Sequence, residues 1–199
     1  MTLSDGFHDV PRGRIATVVT HLEMREEKPE RPVGLPDEAE FVRVQNPSAS
    51  WYKSLFRKVG AADWLWFSRL NLTDNELEQI VQSPKVEIYA LRKAGQDLGL
   101  LELDFRQDGD CELAFFGVAR ELIGFGAGRF LMNNAIRLAW EKPINRFFVH
   151  TCTLDSPQAL PFYVRSGFTP YRQQIEIAPD PRLHGLIERE AAPQIPIIE

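Results

Sequence analysis

The chain has 199 residues, of which 44% are hydrophobic, 11% aromatic and 26% charged. That is enough apolar material for one buried core and too much for a disordered chain. A formal net charge of −5 argues against a nucleic-acid binder, which carries a basic face, and sits better with a small or cationic partner. Two cysteines, Cys111 and Cys152, fit a reduced intracellular setting. With four scattered histidines they make no zinc spacing, so no metal is expected. Met1 to Pro11 hold no apolar signal run, and no stretch approaches the ~18 apolar residues of a membrane span. A cytoplasmic chain without membrane or nucleic-acid partners is the expectation.

In chain order, residues 1–13 are polar and loose. Arg14 to Met24, with β-branched residues from Ile15 to Thr20, predicts a strand. Arg25 to Asp37 is charged and carries Pro29, Pro32 and Pro36, which marks a loop. Asn46-Pro47-Ser48 opens a helix through Trp51, Leu55 and Val59. Thr73-Asp74-Asn75-Glu76 has the capping-box spacing for a helix running to Val81. Val86–Leu91, Leu98–Phe105 and Cys111–Val118, separated by tight turns, predict an antiparallel meander. A glycine cluster from Gly124 to Gly128 then opens a helix with Phe130, Leu131, Ala135, Leu138 and Ala139 on one face, ended by Pro143. Arg146–Thr153 is a strand, and Ser156-Pro157 starts a helix that closes at Gly167. Thr169–Ile177 is the last strand, and residues 179–199 form a proline-rich tail. The order predicts an α/β (α+β) fold with a mixed sheet and one domain over residues 14–178.

Ile123-Gly124-Phe125-Gly126-Ala127-Gly128-Arg129 lies between a strand and a helix. Glycines let backbone N–H groups approach a ligand, and a helix N-terminus favours phosphate, with Arg129 adding charge. A dinucleotide fingerprint fails, because its sixth position from Gly124 is Arg129, and the P-loop ending is absent. The pyrophosphate of coenzyme A, or a glycine-rich turn without a ligand, remain.

The segment Val118 to Gly128 resembles motif A of the GNAT N-acetyltransferase superfamily, with Ile123 where the family prefers Arg or Gln. Ser156 to Phe168 resembles motif B, with Ala159, Tyr163, Gly167 and Phe168 in place and Ser156 for the usual Asn. The two motifs and the strand between them cover Cys111 to Phe168. The resemblance implies a mostly antiparallel sheet flanked by helices. It is splayed between the fourth and fifth predicted strands, those of Val118 and Val149. It also implies transfer of acetyl from acetyl-CoA to a small-molecule or peptide amine. Cofactor binding then falls to Phe116, Gly117, Val118, Ile123, Gly124, Phe125, Gly126, Ala127, Gly128, Arg129 and Ser156. The Val118 N–H would polarise the thioester carbonyl, and Tyr163 would protonate the leaving sulfur, against a plain packing role.

For the base, Glu112 is the one carboxylate inside its strand. Strict alternation would place it on a face with Ala114 and Phe116, opposite Cys111, Leu113 and Phe115. Glu102, Asp104 and His150 are rivals. The aromatics Trp51, Tyr52, Phe56, Trp64, Trp66 and Phe67 would form core or an acceptor pocket, and both cysteines pack. A coenzyme A-binding module without catalysis, or transfer of another acyl group, are the competing readings. The chain is expected as a monomer or a homodimer, the latter joined through the apolar run Ile195-Pro196-Ile197-Ile198.

Overall fold

A computed structural model describes residues 3–199. Of the loose segment expected over 1–13, Met1 and Thr2 lie outside the described residues, and 3–13 carry no helix or strand. The strands are β1 (Arg14–Met24), β2 (Ala39–Val44), β3 (Val86–Lys93), β4 (Gln96–Asp104), β5 (Asp110–Val118), β6 (Arg146–Cys152) and β7 (Thr169–Pro179). They form one sheet in the order β2-β3-β4-β5-β6-β1-β7. Only β5 and β6 are parallel; every other neighbouring pair is antiparallel. The first strand therefore inserts between the last two. The sequence reading lacks β2, which is a correction. Glu40 and Arg43 interrupt its apolar alternation, and only Ala39 is fully buried, as suits an edge strand.

The helices obey their caps. In α1 (Ala49–Phe56) the Trp51 N–H donates to Ser48 Oγ at 3.3 Å. The helix continues through a π-helical stretch, Arg57–Ala61, and a last α turn, Ala62–Trp64. In α2 (Asp74–Val81) the Glu76 N–H donates to Thr73 Oγ1 and the Thr73 N–H to Glu76 Oε2, the reciprocal pair that the spacing predicts. α3 (Ala127–Trp140) buries Leu131, Met132, Ala135, Ile136 and Ala139. α4 (Ala159–Arg165) starts later than the Ser156-Pro157 signal implies, because the Ser156 carbonyl first accepts a turn bond from the Ala159 N–H at 2.8 Å. Its end is as read. Gly167 sits at φ +102°, its N–H donates to Val164 O and the Phe168 N–H donates to Tyr163 O. Those two bonds make a Schellman motif, which needs a left-handed residue at Gly167.

Two cores form. One gathers Tyr52, Phe56, Leu77, Ile88 and Leu100 beneath α1 and α2. The other gathers Leu22, Met24, Leu113, Met132, Ile136, Phe147, Val149 and Phe168 beneath α3 and α4. Ile187, Ala191 and Ala192 of the tail join the first. The tail is tied by the Ala192 N–H to Ala62 O at 2.8 Å and by the Gly13 N–H to Ile198 O at 2.6 Å. Ile195 of the apolar run turns inward, while Ile198 is exposed.

Arg182 holds the tail together. Its guanidinium is almost wholly buried, forks onto Asp180 at 2.9 and 2.7 Å, and donates to the carbonyls of Ala191, Ala192 and Ile195. Arg182→Met leaves Asp180 without a counter-charge and three carbonyls without a donor. The expected loss is about 3–5 kcal/mol, the cost of removing one partner of a buried pair. Denaturant unfolding checks it, and adding Asp180→Asn should recover part of the loss.

Candidate active site

The geometry begins where β5 and β6 part. Their parallel pairing covers only Asp110–Arg146, Cys111–Phe147 and Glu112–Phe148. Beyond Glu112 the strands diverge, whereas β6 stays paired with β1 from Phe147 to Cys152. The gap opens into a cavity of about 970 Å³.

β5 is bulged in the same region. Leu103 pairs with Leu113 and Glu102 with Phe115, which leaves Ala114 as the extra residue. A bulge of one residue exchanges the faces that follow it. The expected grouping of Glu112 with Phe116 is thus corrected. Phe115 packs on Phe56 and Trp66, while Phe116 meets Phe162 and Tyr163 on the other side. The Ala119 N–H donates to Leu98 O in β4 at 2.7 Å. One residue back, alternation turns the Val118 N–H to the opposite edge of the strand, which borders the gap.

At one end of the cavity lie Ile123, Gly124, Gly126, Ala127, Gly128, Arg129 and Ser156. Gly124 and Gly126 have φ of +87° and +80°, the region that favours glycine. A Cβ at Gly124 or Gly128 would meet open space. The first helical bond of α3 runs from the Phe130 N–H to Gly126 O at 2.9 Å. The N–H groups of Ala127, Gly128 and Arg129 therefore have no acceptor within the helix. These donors, the helix dipole and Arg129 fit a pyrophosphate. Gly117, Val118 and Phe116 line the passage. Phe125 is the one expected cofactor residue that does not border the cavity; its ring is exposed.

Tyr163 stands in the passage. Its residue is only 7% exposed, and its hydroxyl has no hydrogen-bond partner among the described residues. Burial, and then the charge of Asp155, push its pKa up, so it is a proton donor at neutral pH.

The far end carries Glu112 and His150, with Glu112 Oε1 3.4 Å from His150 Nδ1. The hydrogen bond to Glu112 holds the His150 imidazolium above its ordinary range, against burial. Asp155 and Glu176 act in the same direction. The His21 ring lies 5.8 Å from that of His150, and burial lowers its pKa. Glu102 is elsewhere. It is fully buried, accepts from Tyr52 and Arg69, and does not border the cavity. Asp104 does border it, held by Arg106 in a two-point pair. Burial raises both thiols, so Cys111 and Cys152 are not nucleophiles at neutral pH.

Sequence reasoning missed the role of Trp66 in holding the gap. Its Nε1–H donates to Asp155 Oδ1 at 2.9 Å, and Asp155 also accepts from Thr151 Oγ1 and the Cys152 N–H. A Cβ at Gly60 would sit 2.0 Å from the Trp66 ring, and one at Gly117 3.0 Å from it. Two glycines far apart in sequence clear room for one indole, a signal no local pattern carries.

Among the described residues no helix is long and apolar enough to cross a membrane. No curated protein matches the chain. The model of the acetyltransferase (GNAT) family matches residues 49–168. A GCN5-related N-acetyltransferase from Sphaerobacter thermophilus is similar with a TM-score of 0.62 at 11% identity, covering 81% of this chain and 51% of its own. One from Kribbella flavida gives 0.55 at 17%, covering 87% and 63%. An aminoglycoside acetyltransferase from an uncultured soil metagenomic sample, solved with sisomicin, gives 0.54 at 14%, covering 66% and 88%. The chain thus spans about half to two thirds of the first two. At such identities the likeness is one of fold, and with the matched family model it leads to one statement: this chain belongs to the GNAT acetyltransferase family.

Proposed function

We propose that the chain transfers an acetyl group from acetyl-CoA to a primary amine. One observation carries this reading. A single cavity joins a cradle of free N–H groups, an unpartnered Tyr163 hydroxyl and the Glu112–His150 pair. Those are the three elements acyl transfer needs: an anchor, an acid for the leaving group and a base for the attacking amine.

The cosubstrate supplies an activated thioester when bound, its pyrophosphate on Gly124 to Arg129. The Val118 N–H is turned toward the gap to donate to the acyl oxygen. Tyr163 gives its proton to the departing sulfur. Neutral His150 takes the proton of the amine, and Glu112 stabilises the imidazolium that results. The family model and the acetyltransferase fold support the reading; the amine itself is the finer step.

Three outcomes are expected. Gly128→Leu adds a side chain where the backbone leaves open space and improves helix propensity. It should fold as well as the parent, yet lose at least about tenfold in acetyl-CoA affinity by calorimetry. Tyr163→Phe keeps the ring packing and should lower turnover by about 10²- to 10⁴-fold with little change in acetyl-CoA affinity. Undiminished thiol release would remove Tyr163 as the acid.

The third concerns pH. Because His150 is held above its ordinary range and acts when neutral, activity should rise with pH through that raised pKa. Glu112→Gln removes the main cause of the shift, so the rising limb should move to lower pH while the plateau falls. A pH–rate profile reads both, and total loss at every pH would make Glu112 itself the proton acceptor.

A further inference from the structure

The family match ends at Phe168, so β1, β7 and the tail lie outside it. Yet Ile15, Thr17 and Val19 of β1 and Glu176 and Ala178 of β7 border the cavity. Part of the cavity wall is therefore built by stretches of the chain outside the family match.

The charges around the cavity are uneven, and Glu176 is the one carboxylate among them outside the family match. Arg69 is neutralised by Glu102 and Arg106 by Asp104. Asp155 accepts three hydrogen bonds, all from neutral groups, and has no ion-pair partner among the described residues. Glu112 meets only His150, and Glu176 has no ion-pair or hydrogen-bond partner among the described residues. Arg129 and Arg165 border the cavity at its cofactor end. Arg172, on β7, neighbours His21 and does not border it. Glu112, Asp155 and Glu176 thus border the cavity without a lysine or arginine paired to them among the described residues. Trp64, Trp66 and Phe67 supply faces on which a cation or its alkyl body can rest. Tyr163, a buried residue whose hydroxyl has no hydrogen-bond partner among the described residues, borders the same cavity.

We propose that the acceptor is an amine carrying a second positive charge, and that Glu176 reads that charge. The inference rests on the transferase reading for the identity of the reacting amine. It stands apart from that reading as a statement about binding. An amine bearing a carboxylate would bring a fourth anion to a cavity that already has three. A monoamine would leave Glu176 unmatched.

The test compares diaminobutane, butylamine and aminobutanoate, which share one four-carbon body, together with a longer linear triamine. Binding to the full chain is followed by calorimetry in the presence of coenzyme A, and turnover by thiol release from acetyl-CoA. The diamine and triamine should bind most tightly and aminobutanoate least. Glu176→Gln should narrow the diamine-to-butylamine ratio about fivefold, the scale of one partly exposed ion pair, and Glu176→Lys should invert it. Added salt should weaken the diamine more than butylamine. Equal binding of butylamine, tighter binding of aminobutanoate, or a ratio that ignores both Glu176 variants would overturn the proposal. Diamine binding that depends on Glu176 without thiol release from any amine would sustain the cation site and remove the transferase reading. Thiol release favouring butylamine would do the reverse.

Discussion

The molecule depends on keeping two parallel strands apart. β5 and β6 share three residue pairs and then separate, although a sheet gains by closing every ladder. Closure is prevented by what fills and braces the gap. Trp66 reaches from the end of α1 to Asp155, which caps the loop after β6. The indole lies against Phe56 and Phe115, and it can lie there only because Gly60 and Gly117 lack a Cβ. The strut is fixed at both ends and on both flanks, so the cavity is a property of the packing. A π-helical stretch, an uncommon conformation, falls at Arg57–Ala61. Gly60 lies within that stretch, under the indole.

The bulge at Ala114 belongs to the same constraint. It sends Phe115 to the side of Trp66 and Phe116 to the side of Tyr163, so consecutive aromatic residues wall opposite sides of the gap. Without it, Phe116 would stand beside Glu112 and Tyr163 would lose its aromatic neighbour in β5. The acid and base ends of the cavity are thereby kept on different sides of one strand. In the proposed reaction that separation lets the acid remain protonated while the base remains free.

The glycine turn and helix start at one end of the cavity were legible in the sequence because their determinants are local. Gly124 to Arg129, the caps at Ser48 and Thr73, and the Schellman glycine Gly167 each act within a few residues of themselves. The splay between the strands of Val118 and Val149 was legible through the family resemblance. The face of Phe116 was not, because period-two alternation carries no sign of an inserted residue. Nor was β2, whose charged edge positions hide its pattern. Glu102 looked like Glu112 in sequence. Only the arrival of Tyr52 and Arg69, from 50 and 33 residues away, turns it into a buried structural carboxylate.

The strand order gives the two ends of the cavity different origins. The cradle comes from one continuous stretch, β5 to α4, that folds on local signals. The β1 and β7 part of the wall comes from opposite ends of the chain: β1 pairs with β6 on one side and β7 on the other, and Gly13 is bonded to Ile198. Such pairing closes a loop of well over a hundred residues, so the wall forms only when the rest is in place. A substitution in β1 or β7 thus falls outside the stretch that builds the cradle. In the proposed reaction, that arrangement lets one fold keep its acyl-transfer chemistry while Glu176, the one carboxylate of β7, meets the acceptor.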